Sequence, residues 1–347
     1  MNRSKVATNC PSHSRRLDLA DLIGPDPVDA GPGHAGEHGR MPDSPYADLR
    51  RPPLQEPALR RALIVPGGLW TRLRVVLQTG STNADLADEA RSGRAEGDVL
   101  VAERQTAGRG RLGRAWDAPA QAGLTLSVLL RPAGVEPTRL GWLPLLAGVA
   151  LAQAVARLAE VDAVLKWPND LLVRAATFTA LGPTAVGPTA AASESAEGYR
   201  KCAGLLAEAV PSPAGPAVVL GLGLNVTQEA DELPPVKLTD PTAPPATSLA
   251  LAGAACTDRD PLLRATLRAL ADWYLRWRAV GGDPQVSGVA DAYRERCATL
   301  GGEVRVHLPD GSTFDGLASD VDDEGRLVVR TAGHTRHVAA GDVHHLR

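Results

Sequence analysis

Residues 108–116 read Gly-Arg-Gly-Arg-Leu-Gly-Arg-Ala-Trp, and the interpretation of this stretch decides the fold. It contains the spacing G-x-G-x-x-G. In a dinucleotide-binding fold this motif follows the first strand, opens a helix and precedes an acidic residue by about 20 positions. Here Pro119 and Gly123 follow closely, and no acidic residue occurs between Asp117 and Glu136. The context therefore disfavours a dinucleotide-binding fold and predicts a loop that binds an anion.

The composition of this loop supports that prediction. Its glycines let backbone N–H groups approach a ligand, and three arginines, Arg109, Arg111 and Arg114, offer planar donors for phosphate oxygens. The indole of Trp116 can stack on a purine ring. The alternative is a solvated basic turn with a buried tryptophan, which the stretch alone does not exclude.

Four further patches place polar residues among apolar ones. They are Gly80-Ser81-Thr82-Asn83, Lys166-Trp167-Pro168-Asn169-Asp170-Leu171, Lys201-Cys202-Ala203-Gly204-Leu205-Leu206-Ala207-Glu208 and Gly221-Leu222-Gly223-Leu224-Asn225-Val226. Each also has a purely structural interpretation: a helix cap, a turn, a lysine at a strand end and a tightly packed core strand, respectively. A functional site is favoured because lysine and asparagine are rare in this chain and occur in these patches. The chain has only four lysines, and its three asparagines beyond residue 10 all lie in these patches.

Composition excludes several kinds of chemistry. All eight histidines lie in the first 38 residues or after residue 306, so no Ser-His-Asp triad, Cys-His dyad or histidine metal site can be built within the middle of the chain. The four cysteines are widely spaced, which predicts a reduced cytoplasmic protein without structural zinc. The net charge of −3 gives no argument for a polyanionic partner, and no run of about 18 apolar residues indicates a membrane span.

The apolar patterning predicts an α+β fold with a mixed sheet and flanking helices. The predicted strands cover residues 73–77, 98–103, 124–130, 163–173, 202–210 and 217–226, and the predicted helices cover residues 81–91, 140–158, 261–277 and 286–300. Four short strands with Gly-containing turns then follow, which predicts a small β-barrel at the C-terminus.

The domain prediction divides the chain into four parts, one of which contains an insertion. They are a disordered extension (1–60), a catalytic domain (61–282) with a flexible insertion (174–200), a connecting helix (283–300) and a small β-barrel domain (301–347). Met1 and Met41 are the only methionines, so translation from Met41 is an alternative start.

Taken together and in this order, the five patches resemble the motifs of the biotin–protein ligase family. They match its Ser-Thr-Asn, Gly-Arg-Gly-Arg-x-Gly-Arg-x-Trp, Lys-Trp-Pro-Asn-Asp, Lys-x-x-Gly-Leu-Leu-x-Glu and Gly-x-Gly-x-Asn-Val motifs, and the resemblance covers residues 65–347. It implies a biotin/lipoate ligase-like catalytic domain with an SH3-like C-terminal barrel. It also implies that biotin is activated with ATP and Mg²⁺ as biotinyl-5′-AMP and is then transferred to a lysine of a biotin carboxyl carrier protein.

The resemblance also implies roles for individual residues. The residues expected to bind biotin are Ser81, Thr82, Asn83, Gln105, Arg109, Gly110, Arg111 and Lys201. Those expected to face ATP are Arg114, Trp116, Asn169, Asp170 and Asn225, with Asp170 as the candidate Mg²⁺ ligand. The expected catalytic residues are Arg111, Lys201, Lys166 and Asp170. The acceptor of the proton from the carrier lysine is left open between Asp170 and the adenylate phosphate.

Three other functions are weighed against this one. A lipoate–protein ligase would carry a different Arg/Gly/His-rich motif, and the corresponding part of this chain has no histidine. A biotin-responsive DNA-binding regulator needs a basic helical reading head, which residues 1–60 do not resemble, so no DNA partner is expected. A non-catalytic nucleotide-binding module stays open. No membrane partner is expected, and the oligomeric state is expected to be a monomer or a weak homodimer.

Overall fold

The structure is a computed structural model that describes residues 48–175, 198–235 and 244–346. These residues belong to a single compact unit. The candidate start at Met41 and most of the predicted insertion at 174–200 lie outside the described residues.

A seven-stranded sheet forms the centre of the larger part. Its strands are β1 (Arg72–Val76), β2 (Asp98–Ala102), β3 (Gly123–Leu130), β4 (Ala163–Lys166), β5 (Asp170–Arg174), β6 (Tyr199–Val210) and β7 (Ala217–Asn225). The strand order is β1-β2-β3-β7-β6-β5-β4. Strands β1 and β2 are parallel and the other pairs are antiparallel, so the predicted mixed sheet is confirmed.

Helices cover the two faces of this sheet unequally. The helices are α1 (Glu56–Leu63), α2 (Thr82–Arg91), α3 (Trp142–Ala159), α4 (Arg259–Ala279) and α5 (Val289–Arg294). The main core joins α1, α3, α4 and α5 to one face, whereas a small separate cluster joins α2 to the other face. Because side chains alternate along a strand, Thr125 and Ser127 of β3 lie on the α2 face. One short helix cannot cover that face, and the uncovered part holds the site.

Helix α3 is apolar all round because it is a core helix. The segment Pro137–Ala159 has the length and hydropathy of a membrane span, but 72% of its most apolar window is buried inside the protein. Its residues pack on α4 and on the sheet. An apolar helix of this length therefore needs no membrane here.

The C-terminal part is a five-stranded antiparallel sheet, which agrees with the predicted small SH3-like barrel. Its strands are β8 (Glu303–His307), β9 (Thr313–Val321), β10 (Leu327–Thr331), β11 (His334–Val338) and β12 (Asp342–His345), in the order β11-β10-β9-β8-β12. Two indole N–H groups attach it to the larger part. Trp142 donates to the carbonyls of Asp322 and Asp323, and Trp167 donates to the carbonyl of Gly325.

Several predicted boundaries were wrong. Residues 48–60 are ordered: Arg51, Leu54 and Leu59 are buried, and α1 begins at Glu56. The predicted strand 163–173 is a hairpin of β4 and β5, since Trp167-Pro168-Asn169 forms its turn. The predicted connecting helix shortens to Val289–Arg294, because the backbone of residues 296–298 pairs with Leu165 instead. Strand β12 was not predicted.

Candidate active site

A cleft of about 630 Å³ opens on the α2 face of the large sheet. Its floor is formed by β3, β6 and β7, and the arginine-rich loop at 108–116 and the segments 232–235 and 244–246 form its walls. Twelve of the predicted site residues line it: Ser81, Thr82, Asn83, Gln105, Arg109, Gly110, Arg111, Arg114, Trp116, Asn169, Lys201 and Asn225. Lys166 and Asp170 are not among the lining residues.

A buried polar network forms one end of the cleft at the start of α2. Ser81 caps the helix by accepting from the Ala84 N–H at 3.4 Å. The backbone N–H and the hydroxyl of Thr82 both donate to Gln105 Oε1, at 2.7 and 2.9 Å. Asn83 Nδ2 donates to Glu208 Oε2 at 2.6 Å. These contacts hold each side chain in one orientation, which suits recognition of a neutral polar head group.

Sequence reasoning missed two members of this network. Ser127 is fully buried and lies 2.7 Å from the Thr82 hydroxyl and 2.6 Å from Asn83 Oδ1. Glu208 accepts a hydrogen bond from the Asn83 amide, a role that its place in the motif did not predict. The signal for Ser127 was present, because Thr125 and Ser127 are polar residues at alternate positions of an otherwise apolar strand.

Two glycines of β7 allow side chains to lie against the sheet. A Cβ at Gly221 would overlap the amide of Asn83, and a Cβ at Gly223 would overlap the indole of Trp116. The interpretation of this motif as a tightly packed core strand therefore explains only some of its residues. The leucines between the glycines pack in the core, and the glycines face the cleft.

The arginine-rich loop is a tight hairpin. Arg109 and Ala115 pair across it, and Trp116 N–H donates to the Gly108 carbonyl at 2.9 Å. Leu112 at its tip has a left-handed φ of 55° and is exposed. The G-x-G-x-x-G spacing opens no α-helix, only a single 3₁₀ turn at Arg111–Gly113, so the structure rules out the dinucleotide-binding alternative.

Arg111 reaches from this loop into the protein. Its Nη1 donates to Asn169 Oδ1 at 3.3 Å. Burial lowers the pKa of Arg111, although the negative charges of Asp342 and Asp170 act in the opposite direction. A bound anion near this guanidinium would favour its charged form and so oppose the effect of burial.

Lys201 and Asp170 form an ion pair of 2.7 Å at the edge of the cleft. Lys166 pairs with Asp170 across the β4–β5 hairpin. Burial lowers the pKa of Lys166, and the nearby charge of Lys201 adds to the effect while Asp170 opposes it. The structure thus places Lys166 and Asp170 beside Lys201, behind the surface that a ligand would contact.

The C-terminal part also reaches the site, which the sequence did not predict. Arg114 Nη2 lies 2.9 Å from Asp342 Oδ1 at the start of β12. The same carboxylate opposes the lowering of the Arg111 pKa. The start of a strand that the sequence did not predict therefore contacts the arginine-rich loop.

The segments 226–235 and 244–247 build the other end of the cleft around Asn225. Asn225 Nδ2 donates to the Thr247 carbonyl at 2.9 Å and Gln228 Nε2 donates to Asn225 Oδ1 at 3.1 Å. Lys201 N–H donates to the Pro245 carbonyl at 2.8 Å. Because Gly221 and Asn225 are four residues apart on β7, the two ends of the cleft are separated by about 13 Å.

Within the described residues no group of three or more His, Cys, Asp or Glu side chains could hold a metal ion. The described cysteines, Cys202, Cys256 and Cys297, are not in disulfides. The cleft is thus a two-ended pocket with cations near its middle. It fits an extended ligand that has a polar head, a central anion and a ring system.

Comparison with known proteins agrees with this geometry. Residues 76–225 match the family model described as the biotin/lipoate A/B protein ligase family, and residues 299–346 match the one described as the biotin protein ligase C-terminal domain. Fold and site together therefore define a ligase of the biotin/lipoate type.

Individual relatives narrow the class. The biotin–[acetyl-CoA-carboxylase] ligase of Mycobacterium tuberculosis is 44% identical over 304 residues, which is 86% of this chain and 98% of that protein. The bifunctional ligase/repressor BirA of Bacillus spizizenii is 28% identical over 78% of this chain and 71% of its own length. The chain belongs to the biotin protein ligase family.

A solved structure supports the fold. The biotin protein ligase of Aquifex aeolicus, in complex with biotin and ATP, aligns with a TM-score of 0.59 over 80% of this chain and 100% of that one. Because the sequence identity is 24%, this match concerns the architecture alone.

Proposed function

We propose that this protein is a biotin–[biotin carboxyl-carrier protein] ligase. It activates biotin with ATP to biotinyl-5′-AMP and releases pyrophosphate, and it then transfers the biotin to a lysine of a carrier protein. The observation that carries the proposal is the convergence of Arg111 and Lys201 on one cleft between a polar pocket at Asn83 and the Asn225 end.

Biotin occupies the end of the cleft at α2. Its ureido ring is neutral and both donates and accepts hydrogen bonds, as does the network of Ser81, Thr82, Asn83 and Gln105. Its carboxylate then points toward Lys201 and toward the loop residues Arg109, Gly110 and Arg111. The cations offset the repulsion between this carboxylate and the α-phosphate of ATP.

ATP occupies the end of the cleft at Asn225. Trp116 lies against Gly223 and would offer its ring beside that end, while Arg114 and Asn169, which also line the cleft, would contact the phosphates. Mg²⁺ usually keeps several waters and binds one or two carboxylates together with substrate phosphates. Asp170 lies behind the cleft surface in an ion pair with Lys201, so it would hold an ion of that kind through a bound water, and the ion would neutralise phosphate charge. Lys166 contributes positive potential from behind.

In the transfer step the carrier lysine attacks the carbonyl carbon of the mixed anhydride, and AMP leaves with the bonding electron pair. The attacking amine must lose a proton. Asp170 is ion-paired with Lys201 and is not among the residues that line the cleft. We therefore assign the proton to the phosphate of the leaving AMP. Closure of the arginine-rich loop keeps water from the anhydride before the carrier arrives.

The carrier is the biotin carboxyl carrier domain of an acyl-CoA carboxylase, and the protein acts in the cytoplasm as a monomer or a weak homodimer without a DNA or membrane partner. The sequence of residues 1–60 does not resemble the basic helical reading head that a DNA-binding regulator needs. Sedimentation velocity over a range of concentrations tests the oligomeric state. A tight dimer at nanomolar concentration would contradict it.

The deciding experiment is ATP-dependent biotinylation of a purified carrier domain, followed by mass spectrometry. We expect one biotin on one lysine, no reaction without ATP, and no reaction when that lysine is replaced by arginine. Pyrophosphate exchange with biotin or lipoate distinguishes the two ligase types. Exchange with lipoate alone would contradict the proposal, and so would biotin binding without carrier labelling.

A further inference from the structure

The segment Asp48–Gln55, here called the N-terminal strap, crosses the outside of the cleft wall that Glu232–Pro235 forms. One end of the strap is fixed to the core. Leu54 is buried, and its N–H donates to Glu103 Oε1 at 2.6 Å. Arg259, which forms a buried ion pair with Glu103, also donates to the Pro52 carbonyl at 2.6 Å. The strap is therefore an integral part of the fold.

The other end of the strap grips the cleft wall through Arg51. Its side chain is only 10% exposed. Its guanidinium binds both carboxylate oxygens of Glu232, at 2.9 and 2.6 Å, and donates to the Thr227 carbonyl at 2.9 Å. A buried guanidinium is costly unless such partners satisfy it, so this contact fixes the position of the wall relative to the strap.

Glu232 connects the contact with Arg51 to the surface of the wall that faces the cleft. Its carboxylate also accepts the Glu229 N–H at 2.9 Å and thereby closes the turn Ala230–Glu232. Glu232 itself lines the cleft, and the next residues, Leu233, Pro234 and Pro235, line it too. Arg51 binds the Glu232 carboxylate, and this carboxylate closes the turn. The contact therefore sets the direction in which the stiff segment Leu233-Pro234-Pro235 leaves the turn.

The wall belongs to the Asn225 end of the cleft. Gln228 joins the wall to β7, because its Oε1 accepts the Val226 N–H at 2.7 Å and its Nε2 donates to Asn225. The polar pocket at Asn83 lies four residues back along β7, at Gly221. A displacement of the wall would thus change the nucleotide end and leave the biotin end in place.

We propose that Arg51 is a positioning residue for ATP: from outside the cleft it sets the wall Glu232–Pro235 against which the nucleotide binds. This inference rests on the proposed function, because it assigns the Asn225 end to ATP. It also means that residues well upstream of the sequence motifs belong to the machinery of the site.

The test measures the KM for ATP and the KM for biotin separately, by pyrophosphate exchange with the full-length protein. For Arg51→Ala we expect the KM for ATP to rise about tenfold, while the KM and the calorimetric Kd for biotin stay within about twofold of wild type. Arg51→Lys keeps a positive charge but loses the contact with both carboxylate oxygens of Glu232. Its KM for ATP should therefore lie between the values of wild type and Arg51→Ala. Glu232→Gln should resemble the lysine variant.

The matched control is Arg278→Ala. Arg278 is another half-buried arginine, it binds Glu96 at 2.5 Å, and neither residue is among those that line the cleft. Its loss should lower the unfolding temperature without changing the KM for ATP.

Three results would overturn the inference: an unchanged KM for ATP in the folded lysine variant, equal rises in both KM values, or the same rise in Arg278→Ala. If the wild-type protein shows no exchange with biotin, the proposed function fails instead.

Discussion

Arg111 is a half-buried cation that lines the cleft. Burial lowers its pKa, and its guanidinium donates to the neutral side-chain amide of Asn169. Replacing it should therefore harm ligand retention more than folding. For Arg111→Ala we expect biotinyl-adenylate to be lost about tenfold faster, since hydrogen bonds to charged groups contribute about 1.5–3 kcal/mol. Release of labelled adenylate after gel filtration measures this rate.

Arg104→Ala is the control for that experiment, because Arg104 is an exposed arginine just before the loop and does not line the cleft. It should release adenylate at the wild-type rate. If Arg111→Ala also releases it at that rate, Arg111 does not hold the adenylate.

Gly223 provides a second prediction at the scale of one residue. Its strand is paired on both sides, with Thr125 and Gly204, so the backbone cannot move away from the Trp116 indole. Gly223→Ala should displace Trp116 and weaken binding of a stable biotinyl-adenylate analogue by at least about tenfold, or about 1.4 kcal/mol. Calorimetry measures the affinity, and tryptophan fluorescence reports the displacement.

Gly302→Ala is the matched control, because a Cβ there meets only the Thr299 carbonyl at 3.7 Å. It should bind the analogue like wild type. If Gly223→Ala binds the analogue with wild-type affinity, the contact between Trp116 and Gly223 is not needed for binding.

At the scale of elements, strand β12 shows what the sequence could and could not reveal. Strand β3 was predictable because its leucines and valine alternate with Thr125 and Ser127, and strand β7 because its residues are almost all apolar. The motif residues followed from their rarity and order. Strand β12 reads Asp-Val-His-His, with one apolar residue, so no alternation identifies it. Helix α1 was missed for a similar reason, because it is short and lies in a Pro- and Arg-rich region where composition suggested disorder.

Strand β12 also contains His345, whose protonation should affect the stability of the protein. His345 Nε2 lies 3.3 Å from the Thr299 hydroxyl. Burial, together with the charges of Lys166 and His344, lowers the pKa of His345 from 6.5 to about 4. Between these two values the unfolded chain binds a proton that the folded protein does not. The free energy of unfolding should therefore fall as the pH drops from 6.5 to 4.

His345→Gln removes this titration and should flatten the pH dependence of stability by at most about 3 kcal/mol across that window. Urea unfolding at several pH values measures the slope. His334→Gln, at an exposed position, should keep the wild-type slope. If the His345 variant keeps it too, the histidine is already charged in the folded protein.

At the scale of the whole molecule, the site is assembled from parts far apart in the chain. The strap at residues 48–55 contacts one wall through Arg51, the central motifs form much of the floor, and β12 contacts the loop through Asp342. The sequence motifs account for the floor, because its residues act through local spacing. They could not reveal the strap or Asp342, because an arginine–carboxylate contact between positions some 180 or 230 residues apart leaves no pattern.

The contact between Arg114 and Asp342 makes loop closure depend on the C-terminal part. The two side chains are 45% and 30% exposed, so solvent screens the pair and its contribution to stability should be below about 1 kcal/mol. Its effect on the loop should be larger. For Asp342→Ala we expect biotinyl-adenylate to leave about threefold faster, with nearly unchanged unfolding temperature.

A double-mutant cycle separates this coupling from any direct contact of Arg114 with the nucleotide. If Asp342 acts only by holding Arg114, then Asp342→Ala should accelerate adenylate release in the wild-type background and have no effect in Arg114→Ala. Asp315→Ala breaks a comparable exposed pair with Arg305 on the same sheet and should leave release unchanged in both backgrounds. An equal acceleration by Asp342→Ala with and without Arg114 would mean that the carboxylate acts on the site by another route, such as its charge beside Arg111.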